Sequence, residues 1–193
     1  MLDQQLDSTK FFLYAVNILL QAIGERPIAD DIELAEVEEA QQASSVLIEV
    51  KKEVLSEGWD FNTDENYVFP PDMAGYISVP SNIILDITSP DGDIVVRDWR
   101  LYSKSDQTAI FTEPQEMSVI WDMDFNTLTH PLRNFIMIRA ARKFQARQIG
   151  GGDAYTFTSR EEEEAYLIAR RSEGFTGQYN MLTSAYGTTN IIS

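Results

Sequence analysis

Apolar positions near the start of the chain recur with a helical period. Phe12, Val16, Leu19 and Ile23 are spaced four, three and four residues apart, on one stripe of a 3.6-residue turn. Gly24 supplies the left-handed position that ends such a helix, and Pro27 cannot continue one. After a short acidic connector over residues 28–34, a second amphipathic pattern spans residues 35–57. Its seam is Ala40, Ala43, Leu47, Val50 and Val54, with small residues at one end for close helix approach and Gly58 as the C-terminal cap.

From Trp59 the period shortens. Runs rich in β-branched and aromatic residues, at 67–69, 76–79, 83–87, 94–96, 99–102, 109–111 and 118–121, are divided by Pro, Gly, Asn and Asp. Asp91-Gly92 is a tight-turn signal between two of them. Helical spacing resumes at Pro131, a residue favoured in a first helical turn, and runs to Ile149, where Gly150-Gly151-Gly152 breaks it. Phe135 to Ile138 is apolar on every side and should be buried. A fourth helix is expected from Ser159, capped by that serine with Glu162 completing a capping box.

This order predicts an α+β fold: a four-helix bundle built from both chain ends, an inserted antiparallel β-sheet or small barrel, and an extended C-terminal arm. The corresponding divisions are 1–58 and 131–173 for the helical domain, 59–130 for the β domain, and 174–193 for the arm. The arm mixes Gly, Thr, Asn and Ser with Phe175, Tyr179, Met181 and Leu182, a composition suited to a neighbouring surface more than to a core of its own.

Charge narrows the function classes. The 193 residues hold 15 Lys and Arg against 31 Asp and Glu, a formal −16, which argues against a surface built to grip phosphate backbones or anionic lipid. Without cysteine there are no disulfides, thiolate metal sites or cysteine nucleophiles. No apolar run reaches the length of a membrane span, and the polar N-terminus lacks the pattern of a signal peptide, so the expected setting is a cytosol or a particle assembled there.

Candidate chemistry is thin. His130 has no second His or Cys to complete a metal site. The triple glycine follows a helix and lacks a following Lys-Ser/Thr, so it reads as a hinge and not a phosphate cradle. Asp122 and Asp124 could share a strand face, although a solvated strand end accounts for them; Glu161 to Glu164 suit the first turn of a helix. The one basic exception is Arg139, Arg142, Lys143 and Arg147 along a single helix. These side chains could pair with the acidic helix of residues 35–57, meet a partner protein, or contact nucleic-acid phosphate.

Several motifs together resemble the tail tubular protein A family of T7-like short-tailed phages. They are Ala15-Val16-Asn17 through Ile23-Gly24-Glu25-Arg26-Pro27, then Gly58-Trp59-Asp60-Phe61-Asn62, then Ala141 to Gly150, Glu161 to Glu164, and Tyr179-Asn180-Met181-Leu182. The resemblance implies a structural virion protein with no enzymatic activity and no cofactor or metal. It further implies a twelve-subunit ring that joins the portal to the tubular nozzle, helps seat tail fibres and lets duplex DNA pass without specific binding. Interface candidates are Trp59, Phe61, Asn62, Arg139, Arg142, Arg147, Phe175, Tyr179, Met181 and Leu182. The alternatives are a carboxylate-dependent polysaccharide hydrolase on the tail and a nucleic-acid-binding module.

Overall fold

The computed structural model describes residues 2–81, 83–150 and 157–185, with side-chain surroundings for 10–81, 83–150 and 157–173. The chain divides into two units. One comprises residues 1–51 and 124–193, the other residues 52–123.

In the first unit, α1 (Leu2–Ala22) carries the expected stripe: Val16 and Leu19 are fully buried, Ala15 and Leu20 join them, and Phe12 and Ile23 are half-buried. Gly24, at φ +85°, ends it. The Gly24 amide donates to the Gln21 carbonyl and the Glu25 amide reaches back to that of Leu20, the two bonds of a Schellman closure. The chain then folds back onto its own helix. The Asn17 side chain donates to the Ile28 carbonyl at 3.0 Å and accepts from the Ile28 amide at 2.8 Å, so one carboxamide satisfies both backbone groups of a residue that is itself buried. This explains why Asn17 and the Gly24 to Pro27 turn form a single signature.

The acidic connector is instead a helix, α2 (Asp31–Glu36), and the long second helix is interrupted at Val37. The physical cause is a cap at Asp30, whose carboxylate accepts from the Ile32 and Glu33 amides, while Glu33 returns to the Ala29 amide. The Asp30 to Glu33 spacing spells out this cap, and Val37, in extended conformation, separates the two helices. The continuation, α3 (Glu38–Leu55), buries all five expected seam residues, from Ala40 to Val54.

The helix α4 (His130–Ile149) begins with Pro131 in its first turn and packs against α1 and α5 (Ser159–Ala185). Phe135, Ile136 and Ile138 are buried as expected, with Ala140, Ala141 and Phe144 beyond them. The cap of α5 is Thr158, one residue before the expected Ser159. The Thr158 hydroxyl accepts from the Glu161 amide, and the Glu161 carboxylate accepts from the Thr158 amide at 2.7 Å. That reciprocal pair frees Glu162 for another role. The helix also runs to Ala185, so the expected extended arm is helical over 174–185. Gly174 and Gly177 weaken a helix by about 1 kcal/mol each relative to Ala but do not stop one, and the stretch holds no proline. Residues 186–193 of the expected arm and Gly151-Gly152 of the expected hinge lie outside the described residues. Gly150, at φ +82°, closes α4.

In the second unit, strands β1 (Thr63–Phe69), β2 (Ile84–Thr88) and β5 (Gln115–Trp121) form an antiparallel sheet in the order β1-β5-β2. Strands β3 (Ile94–Arg97) and β4 (Arg100–Ser103) form a separate hairpin. The fold is thus mixed helix and antiparallel sheet, with five helices among the described residues and no closed barrel. Both outer strands are bulged against β5, which increases local twist. The expected strands at 76–79 and 109–111 contribute only isolated bridges nearby, Ser78 to Arg100 and Thr108 to Ser103. Pro80 has no amide to donate, and the turn at Asp72, whose carboxylate accepts from the Ala74 and Tyr76 amides, bends the chain just before 76–79. Phe69, Ile77, Val79, Leu101, Met117 and Val119 form the core of this unit.

Replacing Asn17 by Ala leaves the buried Ile28 amide and carbonyl without their partner and should destabilise the chain by about 1–3 kcal/mol. Urea unfolding monitored by circular dichroism would register this as a lowered midpoint at unchanged slope.

Candidate functional site

Three arrangements gather the residues singled out in the sequence. The first lies where α3 ends. Trp59 and Asn62 are buried in their own chain, at 2% and 0% exposure, while Phe61 is 43% exposed. The Trp59 indole donates to the Val54 carbonyl at 2.8 Å, and the Asn62 carboxamide donates to the Leu55 and Trp121 carbonyls at 3.1 and 2.9 Å. Its oxygen accepts from the Trp59 amide at 2.8 Å. The Asn62 amide nitrogen therefore ties the last turn of α3 to the end of β5. Of the three interface candidates in this segment, Phe61 is the one that presents a ring to solvent.

The second arrangement is the basic stripe of α4. Lys143 and Arg147 meet Glu49 of α3, Lys143 at 2.9 Å and Arg147 through two parallel bonds of 2.7 and 2.9 Å. Arg142 pairs with Glu162 of α5, and Arg139 stands 3.8 Å from the same carboxylate. The pairing with the acidic helix holds for Lys143 and Arg147, whereas Arg139 and Arg142 turn to α5. Sequence reasoning assigned Glu162 to the helix cap and so missed it as the second counter-charge. The side-chain hydrogen bonds of Arg147 and then Lys143 hold the Glu49 carboxyl at about 2, well below its ordinary 4.5. With four cations set against two carboxylates inside one chain, the stripe serves to join helices.

The third is a groove of about 460 Å³ between α1, the turn Phe125–Thr127 and α4. Phe11, Tyr14, Phe125 and Met137 line it, with Lys10, His130 and Arg133 supplying polarity. Arg133 lies 3.9 Å over the Phe11 ring and donates to the Asn126 carbonyl at 2.8 Å; burial lowers its pKa. The lining contains no carboxylate and no nucleophile beside a base, so what the groove supports is binding. His130 sits at the groove and the start of α4, apart from any group of metal-ligating residues among those described.

The carboxylates considered for chemistry have local duties. Asp122 faces Lys52 at 3.8 Å, and Asp124 caps the Phe125–Thr127 turn through the Asn126 amide. Hydrogen bonds from the Ser103 hydroxyl first, then Ser105, lower the pKa of Asp93, and the Thr158 amide does the same for Glu161. Phe175, Tyr179, Met181 and Leu182 belong to the helical backbone of α5, and their side chains lie outside those described. Among the described residues, no helix is long and apolar enough to cross a membrane.

Comparison with known proteins finds relatives of this chain. Residues 13–179 match the family model described as tail tubular protein. Over 153 residues the chain is 30% identical to the tail tubular protein A of Klebsiella phage KP34, covering 78% of this chain and 80% of that protein.

Two outcomes follow from the geometry. Substituting Asn62 by Ala removes its bonds to the Leu55 and Trp121 carbonyls and to the Trp59 amide, and should destabilise the chain by about 1–3 kcal/mol in chemical denaturation. Because the folded-state pKa of Glu49 is depressed, its stabilisation is present above the unfolded value of 4.5 and is lost as pH falls through about 2. Thermal melting followed across that window should therefore fall more steeply for the native chain than for Glu49→Gln, with the difference shrinking in high salt.

Proposed function

The chain belongs to the tail tubular protein family, and from that premise we propose that it is a structural component of a phage tail, acting as the adaptor between the portal of the head and the tubular nozzle. In this reading twelve copies form a ring in the tail, assembled in the host cytoplasm, through which duplex DNA passes without specific binding. Tail fibres seat nearby. Helices α1, α3, α4 and α5 serve as one bundle, while Phe61 and the stretch from Phe175 through Tyr179, Met181 and Leu182 reach neighbouring subunits.

The observation that carries this reading is the extent of the family match, which runs from α1 through both sheets and into α5. Physical chemistry supports it from two sides. The α4 stripe, the main concentration of positive charge, is engaged by Glu49 and Glu162, which leaves little to hold DNA. The net charge of −16 suits a conduit wall, since duplex DNA carries one negative charge per ~1.7 Å of its axis and slides past a repelling surface. The residue run 174–193 contains no charged side chain, which suits burial against another subunit.

Particles assembled without this chain should retain packaged heads yet lack the nozzle, and electron microscopy of complete particles should place it in a ring directly beneath the portal. Normal tails formed in its absence, or density for it elsewhere in the particle, would overturn the reading.

A further inference from the structure

The β3–β4 hairpin concentrates three unfavourable features at its tip. Asp98 and Trp99 have φ of +49° and +59°, the left-handed values that a two-residue hairpin turn demands and that usually fall to Asn-Gly. Arg97 and Arg100 stand directly opposite each other in the register, where like charges repel. Trp99 is 62% exposed. Yet the tip is braced. Arg97 lies 4.0 Å over the Tyr102 ring and Arg100 lies 4.4 Å over that of Tyr76, while the Trp99 carbonyl accepts from the Val79 amide at 2.8 Å. An exposed Trp held between two oriented Arg is the composition of a binding hot spot, and strain kept at an exposed point favours a functional cause. Arg97, Arg100 and Lys104 are also three of the four basic residues in the 52–123 unit.

A surface of matching character lies elsewhere in the same chain. From Glu25 to Glu39 there are seven carboxylates and one Arg. Within that run α2 buries none of its six residues, and Ile32 is 68% exposed. A helix this short is far below the length that stands without tertiary packing, and its cap at Asp30 holds an element on which Leu34 is half-buried and Ile32 is left exposed.

We propose that the Arg97–Trp99–Arg100 tip of one copy seats on α2 of a second copy, with the indole over Ile32 and the guanidinium groups against Asp31 and Glu36. The inference rests on the assembly reading above and deepens it by naming a contact. Between copies that each carry −16, this pairing brings opposite charges together. Because the two surfaces differ, the contact is head-to-tail, the kind that closes rings.

The chain has no cysteine, so paired substitutions report the contact directly. Full-length Ile32→Cys and Trp99→Cys chains, mixed and assembled with portal, should form a disulfide-linked heterodimer under oxidation, while either alone should not. The double variant should give a ladder of linked copies. In a second experiment, Arg97→Glu with Arg100→Glu should weaken association between copies by about tenfold or more, and Asp31→Arg with Glu36→Arg in the same chain should restore it. Assemblies that form without the heterodimer, or charge reversals that are not rescued, would overturn the contact and leave the adaptor reading standing. A chain that stays monomeric with and without portal would overturn both. If the Arg97/Arg100 reversal abolishes duplex DNA binding while association between copies is unchanged, the tip is a nucleic-acid contact and the proposal is wrong.

Discussion

The carbonyls released where α1 and α3 stop must find new donors, and the structure depends on how the chain meets that demand. At the end of α3, the Glu57 and Gly58 amides take the Val54 and Leu55 carbonyls, the Trp59 indole adds a second bond to Val54, and the Asn62 carboxamide adds a second to Leu55. The same carboxamide then reaches the Trp121 carbonyl at the end of β5. One small amide thus converts the exit from a helix into the anchor of a sheet. After α1 the Ile23, Gly24 and Glu25 amides take the Leu20 and Gln21 carbonyls, and the Asn17 side chain pairs with Ile28 so that the returning segment lies against the helix it left. In each case one carboxamide holds the chain in the direction it takes after the helix.

Charge follows a related logic. A strongly acidic chain has few cations, and four of the five on α4 are set against Glu49 and Glu162 of α3 and α5. These pairs are partly exposed, so their contribution to stability is modest and sensitive to salt. Their value lies in orientation, because the parallel bonds from Arg147 to Glu49 fix one register between α3 and α4. With those cations engaged, the hairpin tip at Arg97 and Arg100 stands out as positive surface on the 52–123 unit.

Membership of the tail tubular protein family accords with this use of side chains. Carboxylates among the described residues cap turns, pair with neighbouring helices or brace hairpins: Asp124 holds a turn, Asp93 holds Ser103 and Ser105, and Glu161 closes the start of α5. Among the described residues, Phe61, Trp99, Ile32 and the Phe11–Tyr14 side of the groove are exposed and apolar.

The amino-acid pattern alone determined α1, α4 and the buried seam of α3. The seam from Ala40 to Val54 and the cluster from Phe135 to Ile138 were legible because a helical period depends only on near neighbours in sequence. Gly24, Gly58 and Gly150 were legible as stops for the same local reason, since each adopts a positive φ that other residues resist. The α2 cap was also written locally, in Asp30 and Glu33, but the acidic composition around it read as a connector. Tertiary structure decided the rest. Whether 76–79 becomes a strand depends on which backbone lies beside it, and whether Arg142 meets α3 or α5 depends on helices distant in sequence. The burial of Trp59 and Asn62 beside an exposed Phe61 likewise has no signature in composition, because it arises from carbonyls that come within reach only when α3 and β5 meet.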